Sequence, residues 1–232
     1  KMPNLDFCIV IPVYNEEKII LDTISKALKF SKKYNSKIII VNDGSTDSTK
    51  KILSKIKNRK IVTVNKKNEG HGKAIITGYK KALGLNPKYI LQIDSDDQIS
   101  FNEFKKLYKF KDNFDCVVGK RKNRADPMSR KIISFILNKF LIFILFGRFV
   151  TDANCPLRVI KKKFLNDVIN QISFANIPNI LISILAKRKQ SYKSINVKHR
   201  ERYLGVGIKY FKLFKLCATS ILDILKLRLL LI

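Results

Sequence analysis

Through the first half of the chain, short apolar runs alternate with segments in which apolar residues recur every three or four positions. Phe7–Ile11, Lys37–Val41, Ile61–Val64 and Tyr89–Ile93 read as strands, with Glu16–Lys33, Thr46–Lys57 and Gly72–Leu83 as the helices between them. Strands without polar alternation are buried on both faces, and strands joined by helical crossovers run parallel. The pattern therefore predicts an α/β fold of Rossmann-like type, a mostly parallel sheet covered by helices. A further helix at Phe101–Lys111 leads to another strand at Cys116–Gly119.

Beyond residue 126 the pattern changes. Ile132–Phe149 is apolar on nearly every side but interrupted by Asn138, Lys139 and Arg148. A bilayer span needs about 20 apolar residues, so this stretch reads as an interfacial or buried helix. Tyr210–Ile232 spaces Lys212, Lys215, Lys226 and Arg228 among Phe, Leu and Ile in helical rhythm. It predicts a basic amphipathic helix that lies on an anionic membrane, or else packs on the domain or on a dimer partner. With no repeat or low-complexity linker between these parts, we divide the chain into a core over residues 1–126, a second part of the same domain over 127–205, and a C-terminal amphipathic helix over 206–232.

Composition narrows the partner class. At 232 residues and 46% hydrophobic the chain can fill a substantial core. Its formal charge is +29, and after residue 126 only Asp152, Asp167, Glu201 and Asp223 are acidic. Such a surface favours nucleic acid, anionic headgroups or phosphorylated substrates, while plain solvation of a lysine-rich surface accounts for part of it. The aromatic residues sit in apolar runs and form no exposed stacking platform, which argues against nucleic acid. Cys8, Cys116, Cys155 and Cys217 form no CxxC pair and no apolar leader precedes the first strand, which points to a reduced, cytoplasmic setting. His71 and His199 lie in separate segments, against a zinc cluster.

Ligands of parallel sheets bind beyond the carboxyl ends of the strands. Three polar segments occupy those ends here: Pro12–Glu16, Asn42–Asp47 and Asp94–Gln98. Asp94 and Asp96, two apart at a strand exit, point the same way and offer hard oxygen ligands to Mg²⁺ or Mn²⁺ bridging substrate phosphates. A capping turn is the plain alternative for such a doublet. Pro12 breaks the first ladder, Tyr14 offers a ring to a nucleobase, and Asp43 an acceptor to base or ribose. Glu16 suits the positive start of the following helix. Ser95 stands between the paired carboxylates, and Gly70, Gly72 and Lys73 enter the third helix from its positive end, where a diphosphate would sit.

In their order, these strings resemble the family 2 glycosyltransferases of GT-A fold, in the branch of dolichol-phosphate mannose synthases and related polyprenyl-phosphate sugar transferases. They are IPVYNEE (11–17), VNDGSTDST (41–49), NEGHGKAIITGYKKAL (68–83), IDSDDQ (93–98), GKR (119–121), TDANCPLRV (151–159) and VKHRERYLG (197–205). The resemblance implies a nucleotide-sugar donor, a UDP- or GDP-sugar, held by Pro12, Tyr14, Glu16, Asp43, Lys73, Asp94 and Ser95. It implies a Mg²⁺ or Mn²⁺ ion on Asp94, Asp96 and Gln98, and a polyprenyl phosphate acceptor met by Arg121 and Arg130 on the 127–205 side. Arg202 would close over the donor diphosphate, and Asp152 is a further catalytic candidate beside Asp94 and Asp96. Peripheral attachment to the cytosolic face of a membrane follows from the same resemblance.

The chain departs from the family pattern at Pro156-Leu157-Arg158, where Gly-Phe-Arg is common, and near Val206-Gly207, where a serine often follows the final glycine of HRERYLG. Ala175–Asn179 lacks the glutamates frequent in polyprenyl-phosphate enzymes. The chain also lacks the Glu-Asp pair and the QxxRW element of relatives that glycosylate hydroxyls. A phosphate acceptor is already ionised near neutral pH and needs no strong base. The expectation is in-line attack of a phosphate oxygen on the anomeric carbon with inversion. Transfer to a hydroxyl in surface polysaccharide synthesis, or a nucleic-acid-binding protein, are the alternatives.

Overall fold

The computed structural model of the chain describes residues 5–122, 140–200 and 210–231. Strand β1 (Phe7–Val13) is buried along its whole length, as its unbroken apolar run requires. Helix α1 (Ile20–Ser31) returns over the sheet on a face of Ile20, Thr23, Ile24 and Ala27. The βαβ rhythm continues through β2 (Ser36–Asp43), α2 (Thr49–Ser54), β3 (Ile61–Lys66), α3 (His71–Gly84) and β4 (Tyr89–Gln92). A 3-10 turn (Phe101–Glu103) and the short helix α4 (Phe104–Tyr108) take the place of the single longer helix expected at 101–111. They close an aromatic cluster in which Phe7, Phe30, Tyr34, Phe104 and Tyr108 pack with ring centroids 5.0 to 6.0 Å apart.

After β5 (Cys116–Lys122) come α5 (Ile142–Phe146), β6 (Arg158–Lys161), α6 (Lys162–Val168), α7 (Pro178–Arg188), β7 (Tyr192–Lys198) and α8 (Tyr210–Leu229). The seven strands form one sheet in the order β3-β2-β1-β4-β6-β5-β7. All run the same way except β6, which lies antiparallel between β4 and β5, pairing Gln92 with Arg158 and Val117 with Val159. The mostly parallel sheet expected from the sequence is therefore the sheet observed, with one reversed strand that the pattern did not reveal. β7 joins β5 in parallel register at the edge. No helix among the described residues is long and apolar enough to cross a membrane.

Helix α8 carries its apolar residues on both sides. Ile224 and Leu227 are buried, while Leu222, Leu225 and Leu229 face outward, Leu222 at 64% exposure. Next to it, α5 and its flanks expose Phe140, Phe143, Ile144 and Phe149, with the Phe143 and Phe149 rings stacked at 4.3 Å.

Candidate functional site

The carboxyl ends of β1, β2 and β4, with the entry to α3, open onto a cleft of about 820 Å³. Pro12, Tyr14 and Glu16 line it from the β1 loop, Asp43 from the end of β2, and Asp94, Ser95 and Asp96 from the end of β4. The first two loops are stapled together. Asn15, in the left-handed region at φ 54°, accepts the Thr46 N–H at 2.8 Å, the Glu16 N–H donates to Thr49 Oγ1 at 3.0 Å, and the Ser48 N–H donates to Glu17 at 2.9 Å. Tyr14, 47% exposed, lines the cleft beside this lattice.

Asp43 is almost wholly buried, yet its carboxylate is satisfied. It accepts the Lys66 ammonium at 2.8 Å and the N–H groups of Glu69 and Gly70 at 3.1 and 2.9 Å. Burial by itself would lower the Lys66 pKa, but the Asp43 and Glu69 carboxylates outweigh it and hold the ammonium above its ordinary value. The loop that these bonds fix passes over Gly44, which sits at φ +68° and where a Cβ would fall 2.5 Å from the Asn68 nitrogen. Asp43 thus shapes the β3–α3 loop along the same cleft that it lines.

At the end of β4, the buried Oδ1 of Asp94 has no hydrogen-bond donor among the described residues. His71 Nε2 lies 3.4 Å from it, without hydrogen-bond geometry. Asp96 accepts the Gln98 N–H at 3.2 Å, and the Gln98 carbonyl accepts the Arg200 N–H at 2.8 Å. Asp94, Asp96 and Gln98 line a smaller pocket of about 110 Å³ with both histidines of the chain, His71 and His199, and with Arg121. A buried carboxylate oxygen lacking a donor, beside a second carboxylate and an amide, is an oxygen set that suits a hard divalent cation. No group of three or more His, Cys, Asp and Glu ligands occurs among the described residues. The two histidines lie 128 positions apart in separate segments, and both line this pocket.

Two other sequence candidates, Lys73 and Asp152, are held by partners outside the β1, β2 and β4 loops. Lys73 gives its ammonium to the carbonyl oxygens of Ser173 and Phe174 at 3.1 and 2.7 Å, so it ties α3 to the segment before α7. Asp152, at φ 45°, grips Arg121: its oxygens accept from Nε at 2.9 Å, from an Nη at 2.6 Å and from the Arg121 N–H at 2.9 Å. This buried fork orients the Arg121 guanidinium at the rim of the smaller pocket. Ser95 is buried and its carbonyl accepts the Thr23 hydroxyl at 3.0 Å. Arg130 and Arg202 lie outside the described residues.

Sequence reasoning missed the far wall. Asn154, Asn176, Ile177, Pro178 and Asn179 line the large cleft, as does Thr219 of α8. Beneath it lies Arg158, fully buried, with Nη donors on the carbonyl oxygens of Ala153, Cys155 and Asn179 at 3.1, 2.6 and 2.9 Å. The Tyr79 hydroxyl donates to Gln92 at 2.6 Å in the same layer, and burial pushes its pKa up. Burial likewise raises the Cys155 thiol to about 12. It packs as an uncharged core group.

A family model described as Glycosyl transferase family 2 matches residues 8–169. An uncharacterized protein of Methanocaldococcus jannaschii is 40% identical over 171 residues, covering 68% of this chain and 73% of that protein. The UDP-N-acetylglucosamine–dolichyl-phosphate N-acetylglucosaminyltransferase of Methanococcus voltae is 32% identical over 186 residues, 71% of this chain and 72% of that one. Among solved structures, the glucosyl-3-phosphoglycerate synthase of Mycobacterium tuberculosis, in complex with Mn²⁺, UDP-glucose and phosphoglyceric acid, superposes with a TM-score of 0.67 at 14% identity. That alignment covers 97% of this chain and 80% of that one, a likeness of fold.

Proposed function

The chain belongs to glycosyl transferase family 2, and from that premise we propose that it moves a sugar from a UDP- or GDP-sugar to polyprenyl phosphate, inverting the anomeric carbon. The observation that carries this reading is the buried Asp94 Oδ1 without a donor, set beside Asp96 and Gln98 where the large cleft meets the Arg121 pocket. Tyr14 and Asp43 would meet the nucleoside at one end of the cleft. Asp94, Asp96 and Gln98 would hold Mg²⁺ or Mn²⁺ on the diphosphate at the other. When bound, the ion offsets charge on the departing nucleoside diphosphate.

Arg121, aimed by Asp152 and lining the smaller pocket, would meet the ionised acceptor, and its guanidinium suits phosphate. No side chain in this scheme removes a proton from the acceptor, because the phosphate oxygen is already a nucleophile at neutral pH. Catalysis then comes from holding two phosphorylated partners in line and from stabilising the leaving charge. The Methanococcus voltae relative is named for transfer to dolichyl phosphate, which supports a lipid phosphate acceptor. The outward Leu222, Leu225 and Leu229 of α8, the exposed phenylalanines around α5 and the +29 charge support peripheral docking on an anionic bilayer beside that acceptor.

The test supplies the full chain with labelled UDP- and GDP-sugars, Mn²⁺ and polyprenyl phosphate. The expected products are an acid-labile glycolipid and free nucleoside diphosphate, lost on chelation. Asp94→Asn and Asp96→Asn should each lower turnover by about 100-fold or more. Robust transfer to a hydroxyl acceptor, with none to lipid phosphate, overturns the reading.

A further inference from the structure

Asp223 is one of four acidic residues after position 126, and it is buried on the inner face of α8. Its Oδ2 accepts the N–H groups of Asn176 and Ile177 at 2.6 and 3.1 Å, and its Oδ1 lies 3.4 Å from the Asn176 amide nitrogen. Those N–H groups stand just before α7, where no preceding turn of helix can satisfy them. One carboxylate therefore fixes the backbone of a segment that walls the large cleft.

The same segment is held from the opposite side by α3. At Gly72 an added Cβ would sit 2.0 Å from the Asn176 carbonyl oxygen, so the two backbones touch. Lys73 ties down Ser173 and Phe174, while Lys226 of α8 covers the Phe174 ring at 4.3 Å. Thr219, one turn before Asp223, lines the cleft directly. The wall is thus clamped between the helix that enters the cleft from the sheet and the C-terminal helix whose outer side is apolar.

We propose that Asp223 is a positioning residue for the donor, and that α8 forms one wall of the nucleotide-sugar cleft through the Asp223 bonds to Asn176 and Ile177. This rests on the reading of the cleft as the donor site. Without the carboxylate, the buried Ile177 N–H and the part-buried Asn176 N–H lose their acceptor and the wall at 176–179 loses its set position.

Calorimetric titration of the full chain with UDP- and GDP-sugars in the presence of Mn²⁺ tests it. Asp223→Ala should weaken binding of whichever donor the wild-type chain takes by about tenfold. In turnover, the donor KM should rise while kcat and acceptor KM stay within about twofold. Asp223→Asn, which keeps an acceptor oxygen, should bind within about twofold of wild type. Ala218→Gly weakens the same helix without touching the loop, and should leave donor binding unchanged.

Wild-type affinity in folded Asp223→Ala, or equal losses in Ala218→Gly and Asp223→Ala, overturns the proposal. If Asp223→Ala does not fold, hydrogen exchange on the wild-type chain decides. Donor should slow exchange in 173–179 and in 217–227 together, and protection of the first segment alone overturns the coupling. Failure of every nucleotide-sugar to bind the wild-type chain overturns the reading of the cleft itself, a result distinct from these.

Discussion

Arg158 presents the sharpest energetic question at the level of single residues. It is a full positive charge at 0% exposure with no carboxylate partner among the described residues, and its Nε has no acceptor there. Three carbonyl oxygens compensate it, from Ala153, Cys155 and Asn179, and they belong to the two segments that flank the cleft. Arg158→Met should take a donor from each of those carbonyls, leaving Ala153 and Asn179 to the Ser183 hydroxyl, and cost about 3 kcal/mol, read as a lower urea midpoint with an unchanged slope. Arg158→Lys should recover little, since one ammonium cannot span acceptors set for a planar fork. Asp43, Asp94 and Asp96 were legible in the sequence because each follows a run that could only be a buried strand, and a strand exit fixes where a side chain goes. Lys73 was not, because its partners are backbone carbonyls 100 and 101 residues away and no side-chain pattern encodes them.

Among the elements, β1 through β4 and their helices could be read directly, since each strand is a run of apolar residues and each helix has one apolar stripe. The elements that escaped have physical reasons to do so. β6 is four residues long and begins with arginine, which reads as a loop until the burial of its guanidinium is seen. α7 is apolar nearly all round because it is buried nearly all round, so it has no stripe to betray it. β7 lies at the sheet edge, half exposed and lysine-bearing, as edge strands commonly are. The close contact of α3 with the segment before α7 supplies the prediction at this scale. Gly72→Ala places a methyl group against a backbone carbonyl, which has no rotamer to give way. It should cost about 2 kcal/mol by thermal unfolding and weaken nucleotide-sugar binding along with it. Gly84→Ala at the other end of α3, with nothing within 4 Å of the added carbon, should do neither.

Over the whole molecule, charge and apolar exposure act together. A +29 chain with phenylalanines exposed around α5 and leucines along α8 should sediment with vesicles containing anionic lipid and not with neutral ones. Raising salt from about 0.05 to 0.5 M should release most of it, because the Debye length falls severalfold over that range. Leu222→Glu should release it at lower salt still. The reversed strand has a consequence of another kind, in the order of assembly. β5 is made before β6 but can enter the sheet only beside it, and β4 has an open edge until Arg158–Lys161 has been synthesised. The nascent chain therefore carries an unpaired strand and a bare sheet edge at the same time, which leaves the interval between β5 and β6 open to mispairing.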